Sequence, residues 1–195
     1  MAEDATFAQL VSLACHDLRT PLATVFGFAR TLTRLEDLPE KANGYAAMIE
    51  TASSQLAELL DELSLAAKIE ADRYEPALEE LDSRALLEAA ADGLGPDRVA
   101  VGGAGGPVTV DRAAAKRAVS ALVRCALRHG GLEHVDTAAD GGELRVSPIT
   151  PASAPVVLGE SLRDLGAAVG VMLIRRLGGT VAVEGDVLRL QLPRS

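Results

Sequence analysis

Ala14-Cys15-His16-Asp17-Leu18-Arg19-Thr20-Pro21-Leu22 is the stretch on which the reading of this chain turns. On a helix at about 100° per residue, Phe7, Val11, Ala14, Leu18, Leu22, Val25, Ala29 and Leu32 fall on one stripe. That is the pattern of a helix packed against a core. His16 lies on nearly the opposite side, with Ser12, Thr20, Ala23, Thr24 and Gly27. The imidazole is therefore expected to face solvent among small and polar residues, open to a partner.

Working outward, the first helix is predicted from Ala5 to about Leu35, with Pro21 removing one backbone hydrogen bond inside it. Glu36-Asp37-Leu38-Pro39 is the expected turn. A second helix follows from about Pro39 to Arg73, with Tyr45, Ile49, Ala52, Leu56, Leu59, Leu63 and Ala66 at spacings of three and four. Two long helices with one apolar stripe each leave much of that stripe uncovered. Pairing of two chains into a four-helix bundle covers it. A purely structural dimeriser has the same stripe, so the stripe itself says nothing about chemistry.

Composition sets the outer limits. A chain of 195 residues, 48% apolar, can bury a core in one large or two small domains. Aromatics make up only 3% and Trp is absent, so Ala, Leu and Val must fill that core. A formal net charge of −9 argues against a nucleic-acid surface, which needs clustered Lys and Arg. Cys15 and Cys125 form neither a disulfide framework nor a metal-ligand spacing, and suit a reducing, cytoplasmic setting. Cys15, beside His16, reads as a helix filler or as a reactive thiol. No signal peptide or membrane-spanning apolar run is evident, so no membrane partner is expected.

Beyond Tyr74-Glu75-Pro76 the texture changes, which places a helical hairpin at 1–75 and a second domain at 76–195. In the second domain, Ser83 to Gly93 is helical, and Val99-Ala100-Val101 and Val108-Thr109-Val110 read as strands joined by the flexible Gly102–Gly106 run. That run lacks the Gly-Lys-Ser/Thr of a phosphate loop. Asp111 to His129 is a helix, and Val135–Ala138 and Glu143–Ser147 form a hairpin across Asp140-Gly141-Gly142. Leu165 to Leu177 is the last helix, closed by Gly178-Gly179, and Thr180–Glu184 pairs with Val187–Leu192 across Gly185-Asp186. The class is α+β: a helical hairpin followed by an α/β sandwich, one sheet with helices on one face.

His16-Asp17-Leu18-Arg19-Thr20-Pro21-Leu22 resembles the H-box of the sensor histidine kinases. The resemblance implies a dimerisation and histidine-phosphotransfer domain with His16 as phosphoacceptor. A neutral imidazole is a competent nucleophile near pH 7, and Asp17 can orient the ring or take its proton. Leu63 to Ala71 is similar to the end of the family's second helix. Asp111 to Val119 and Ile174 to Glu184 are similar to parts of the family's ATP-binding domain. Most such kinases carry a sensor segment ahead of the H-box. With fifteen residues before His16, the chain either has no sensor of its own or is a piece of a longer protein.

Departures from the family pattern shape the expected function. Cys125 stands where the family's N-box asparagine holds magnesium, and a neutral thiol is a poor ligand for a hard cation. Ser147 to Pro155 replaces the adenine-reading acid and its glycines, and the lid shrinks to a link around Asp164-Leu165-Gly166-Ala167. The domain is therefore expected to be a degenerate ATPase-like fold with no cofactor or metal of its own, Cys125, Arg128 and Gly166 being relic positions. The chain looks like the dimeric histidine phosphotransferases, which pass a phosphoryl group between receiver domains. Upstream stands a histidine kinase or hybrid kinase, and Mg2+ is supplied by the receiver. Ser12, Arg19, Ala23, Thr24 and Gly27 would form the docking face. Thr20, one turn from His16, either orients water for receiver dephosphorylation or is a plain surface threonine. Arg19 is expected to pair with a carboxylate, and His129 and His134 to be structural. Two other readings stand beside this one: a kinase with an atypical nucleotide site using Asp111, Arg128 and Gly166, and a scaffold or phosphatase that binds response regulators.

Overall fold

The computed structural model describes residues 7–35, 39–95 and 97–194, and these divide into two compact units that meet between Tyr74 and Glu75. In the first unit, α1 (Phe7–Leu32) and α2 (Glu40–Glu70) form a hairpin. The expected turn at Glu36-Asp37-Leu38 and the start of α1 at Ala5 lie outside the described residues. Pro21 sits within α1 and the helix runs on through it.

The apolar stripe of each helix resolves into two seams. Cys15 and Ala29 of α1 and Ala46, Ser53 and Ala67 of α2 are buried, so small side chains line the contact between the helices. Leu18, Val25, Leu32, Tyr45, Ile49, Leu56, Leu59 and Leu63 remain exposed along the flank. The single stripe expected from the sequence is thus corrected: its period is right, but a 3.6-residue repeat cannot tell a face that meets its own chain from one that meets nothing within it.

The second unit holds β1 (Glu79–Asp82), α3 (Ser83–Ala91), β2 (Val99–Gly105), β3 (Pro107–Val110), α4 (Arg112–Gly130), β4 (Val135–Asp140), β5 (Glu143–Ser147), α5 (Ala154–Val157), α6 (Leu165–Arg176), β6 (Thr180–Glu184) and β7 (Val187–Gln191). Five strands form one sheet in the order β2-β4-β5-β7-β6, and β1 pairs with β3 in a separate ribbon. Leu144, Val146, Leu188 and Leu190 point inward from β5 and β7, where α3, α4 and α6 cover the sheet. Arg145 and Arg189 are cross-strand neighbours among the intervening residues, and Glu143 and Glu184 balance their like charges.

Two sequence expectations change here. Val99–Val101 and Val108–Val110 are not two arms of a hairpin: β2 pairs parallel with β4, and β3 pairs antiparallel with β1. Most of the glycine run is itself strand. A Cβ on Gly103, at φ +89°, would stand 2.0 Å from the carbonyl oxygen of Ala139, so glycine is what lets β2 lie against β4 there. The stretch from Ser147 to Pro155 runs into α5, whose Val156 and Val157, just beyond it, are buried.

α4 positions the rest. Asp111 caps its N-terminus by accepting from the Ala114 N–H at 3.0 Å, and Gly131 closes it at φ +63°. α4 and α6 approach closely where Gly170 sits over Ala118: a Cβ on Gly170 would lie 3.1 Å from the Ala118 carbonyl oxygen.

Candidate functional site

α1 presents His16 as the sequence implied. Its side chain is 76% exposed, and its Nδ1 lies 3.2 Å from Oδ1 of Asp17. A carboxylate only accepts hydrogen bonds, so in the neutral tautomer that makes this bond Nδ1 holds the proton and Nε2 the lone pair. Thr20, Ala23, Thr24 and Gly27 are exposed on the same face. The Thr24 hydroxyl donates to the Thr20 carbonyl, and a Cβ on Gly27 would meet nothing within 4 Å. On the side toward Gly27, these four positions therefore carry only small groups beside the imidazole.

Two members of the expected docking set stand differently. Ser12 is half-buried, with its Oγ buried and without a hydrogen-bond partner, so it belongs to the border of the hairpin seam rather than to the open face. Its wheel position, about 40° from His16, is already turned toward α2. Arg19 donates to Asp61 of α2 at 2.8 Å, an exposed pair that ties the helices together beside His16 and is worth at most about 1 kcal/mol.

In the second unit the relic positions converge on Asp164. Its Oδ1 accepts from the Ala167 N–H at 3.0 Å and caps α6, while its Oδ2 lies 3.2 Å from His129 Nε2 and 3.8 Å from Arg128 Nη1. A Cβ on Gly166 would lie 3.4 Å from that same Oδ1. Cys125, one helical turn before His129, is wholly buried, and burial followed by the nearby Asp164 charge pushes its thiol up to about 12. Single ligand atoms of Cys125, His129 and Asp164 lie within 4.8 Å of one another. Neither His129 nor Asp164 was read as a ligand in the sequence, because the two stand 35 residues apart. The only available signal was Cys and His at i and i+4 on one helix face.

This donor set does not fit the nucleotide-bound magnesium of the family. Mg2+ demands oxygen ligands in octahedral array, whereas a thiol, an imidazole and one carboxylate stand here. Asp111 is engaged with the Ala114 and Ala77 N–H groups, at 3.0 Å each. Where the adenine-reading acid would follow β5, Thr150 and Ser153 close a turn on each other and Ser153 is buried. His134 lies apart, with Nδ1 donating to the Asp97 carbonyl.

Comparison with known proteins agrees with this architecture. Residues 8–72 match the His Kinase A (phospho-acceptor) domain family. Over 72 residues, 37% of its length, the chain is 31% identical to the Sensor protein DivL of Caulobacter vibrioides, of which it spans 9%. Full-length ShkA, crystallised in complex with AMPPNP, is similar over 97% of this chain and 46% of ShkA, with a TM-score of 0.75 and 20% identity. The Acinetobacter baumannii histidine kinase AdeS is similar over 92% of this chain and 98% of its own, with a TM-score of 0.58 and 19% identity. These two likenesses are of fold. Among the described residues no helix is long and apolar enough to cross a membrane. Residues 8–72 thus match the phospho-acceptor domain of the histidine kinases, and the hairpin followed by the sandwich shares the fold of ShkA and AdeS.

Proposed function

We propose that this protein is a cytoplasmic phosphorelay carrier whose His16 takes a phosphoryl group from a receiver-domain aspartate and passes it to a response regulator, without using ATP. The observation that carries this reading is the His16 ring itself: exposed, held at Nδ1 by Asp17, with Nε2 open on a face of small residues. In the transfer, the Nε2 lone pair attacks the receiver's phosphorus as the bond from phosphorus to the aspartate oxygen breaks. The aspartate leaves as carboxylate, a phosphoramidate forms on Nε2, and Nδ1 keeps its proton against Asp17. The forward step to the second receiver is the reverse. The receiver brings its own Mg2+, and the carrier contributes position.

The exposed apolar flank supports homodimerisation. A second copy laid on Leu18, Val25, Leu56 and Leu63 completes a four-helix bundle while leaving His16 outward. The soft donor set at Cys125 supports loss of autokinase activity. Thr20, one turn from His16 and exposed, is placed to orient water against a docked receiver's aspartyl phosphate, giving a phosphatase role as well.

The test is transfer from a radiolabelled phospho-receiver fed by an upstream kinase. Label is expected on the wild type and absent from His16→Ala. Stable binding of the receiver with no label on His16 favours a scaffold, and label entering His16 from ATP alone favours a kinase. Either result overturns the proposal.

A further inference from the structure

We propose that Cys125, His129 and Asp164 form a site for a borderline-soft divalent metal, Zn2+ or its analogue Co2+, in the degenerate domain. Two helices build it. Cys125 and His129 are four residues apart on α4 and so project from one face. Asp164 enters from the cap of α6, and the close approach at Gly170 and Ala118 fixes the two helices against each other.

Distances suit a small tetrahedral ion. With metal–nitrogen and metal–oxygen bonds of about 2.0–2.1 Å, the edge between two such ligands is about 3.3 Å. His129 Nε2 and Asp164 Oδ2 stand 3.2 Å apart. An edge that includes sulfur, at a bond of about 2.3 Å, is about 3.6 Å, and all three ligand atoms lie within 4.8 Å of one another. Against those 4.8 Å, the gap left on the sulfur edges is at most about 1.2 Å.

Chemistry selects the ion. Thiolate, imidazole and carboxylate are a donor set for zinc, not for magnesium or calcium. Thiolate and carboxylate together balance a dication, and the thiol proton leaves to solvent on binding. The Ala167 N–H holds Oδ1 of Asp164, which leaves Oδ2 directed at His129; such outer support orients a ligand before the metal arrives. Cys125 closes the buried side, while the His129 and Asp164 side chains are 21% and 15% exposed, so the fourth position opens toward water. Arg128 is the competing cation. At 3.8 Å and 74% exposed, it is free to swing outward when a metal binds.

The experiment uses the full chain after chelator dialysis, titrated with Zn2+ against a chromophoric competitor and separately with Co2+ followed by its spectrum. One equivalent per chain is expected, with a thiolate-to-cobalt charge-transfer band and tetrahedral visible bands. Cys125→Ser should abolish that band. Asp164→Asn keeps a side chain able to cap α6, yet should weaken binding by roughly tenfold or more. His129→Gln offers an independent test of the same ligand set should either variant fail to fold, as judged by circular dichroism. Absence of a charge-transfer band with the wild type, an unchanged affinity in folded Cys125→Ser or His129→Gln, or displacement of the ion by millimolar Mg2+ overturns the site. The result is separable from phosphoryl transfer, which is read at His16 in the other unit.

Discussion

Replacing Leu56 and Leu59 together by alanine tests whether the flank of α2 is a dimer interface. The two side chains are 52% and 50% exposed in the single chain. Full burial of a leucine side chain stabilises by about 1.5–3 kcal/mol, so covering the exposed half contributes about 1 kcal/mol. Two-fold pairing counts each position twice, about 4 kcal/mol for the four leucines, of which truncation to alanine removes about 3 kcal/mol. The dimer dissociation constant should therefore rise roughly a hundredfold. Alanine is the best helix former, so the hairpin itself keeps its helices. Sedimentation equilibrium over a dilution series reads the constant directly, with circular dichroism as the check on helix content. Thr24→Ala, on the opposite face, serves as the control and should leave the constant unchanged. A shift below about threefold in the double variant, less than 1 kcal/mol, or a wild-type chain that sediments as a monomer throughout, refutes the pairing.

Asp17→Asn retains an oxygen that can accept from His16 Nδ1 but removes the charge; rapid-quench transfer should slow by roughly a hundredfold, and an unchanged rate would assign Asp17 to orientation alone. Gly103→Ala should destabilise the sandwich by about 3 kcal/mol in urea, because its Cβ meets the Ala139 carbonyl at 2.0 Å. Gly131→Ala, at φ +63° with open space around it, should cost only about 1 kcal/mol. His134 is raised above its ordinary value, first by its bond to the Asp97 carbonyl and then by Asp136, with slight burial opposing. A raised folded pKa gives stability that is complete below the unfolded value of about 6.5 and lost as pH climbs through the folded one. His134→Gln should flatten that part of the urea midpoint's pH profile, and an identical slope in the variant would remove His134 as its source.

Long-range pairing marks where the sequence stopped being legible. The helices were readable because periodicity and end signals are local: Asp111 stands at the start of α4 and Gly178-Gly179 just beyond α6. The β4–β5 and β6–β7 hairpins were readable for the same reason, each turning within a few residues. β1 was not, since Glu79-Glu80-Leu81-Asp82 holds one apolar residue and becomes a strand only beside β3. The glycines of β2 read as a loop because propensity has no knowledge of β4 lying against them. On α1, the outward aspect of His16 was legible from the wheel. The approach of His129 and Asp164 was not, because it depends on two helices crossing near Gly170.

The hairpin's inner seam of Cys15, Ala29, Ala46, Ser53 and Ala67 has a thermodynamic side. Small side chains bring the helices near but withdraw little apolar area from water as they do so. Within one chain the two rods gain little to offset the lost freedom of their backbone. Their melting temperature should accordingly climb with protein concentration, because pairing of two chains then adds to the stability of this unit.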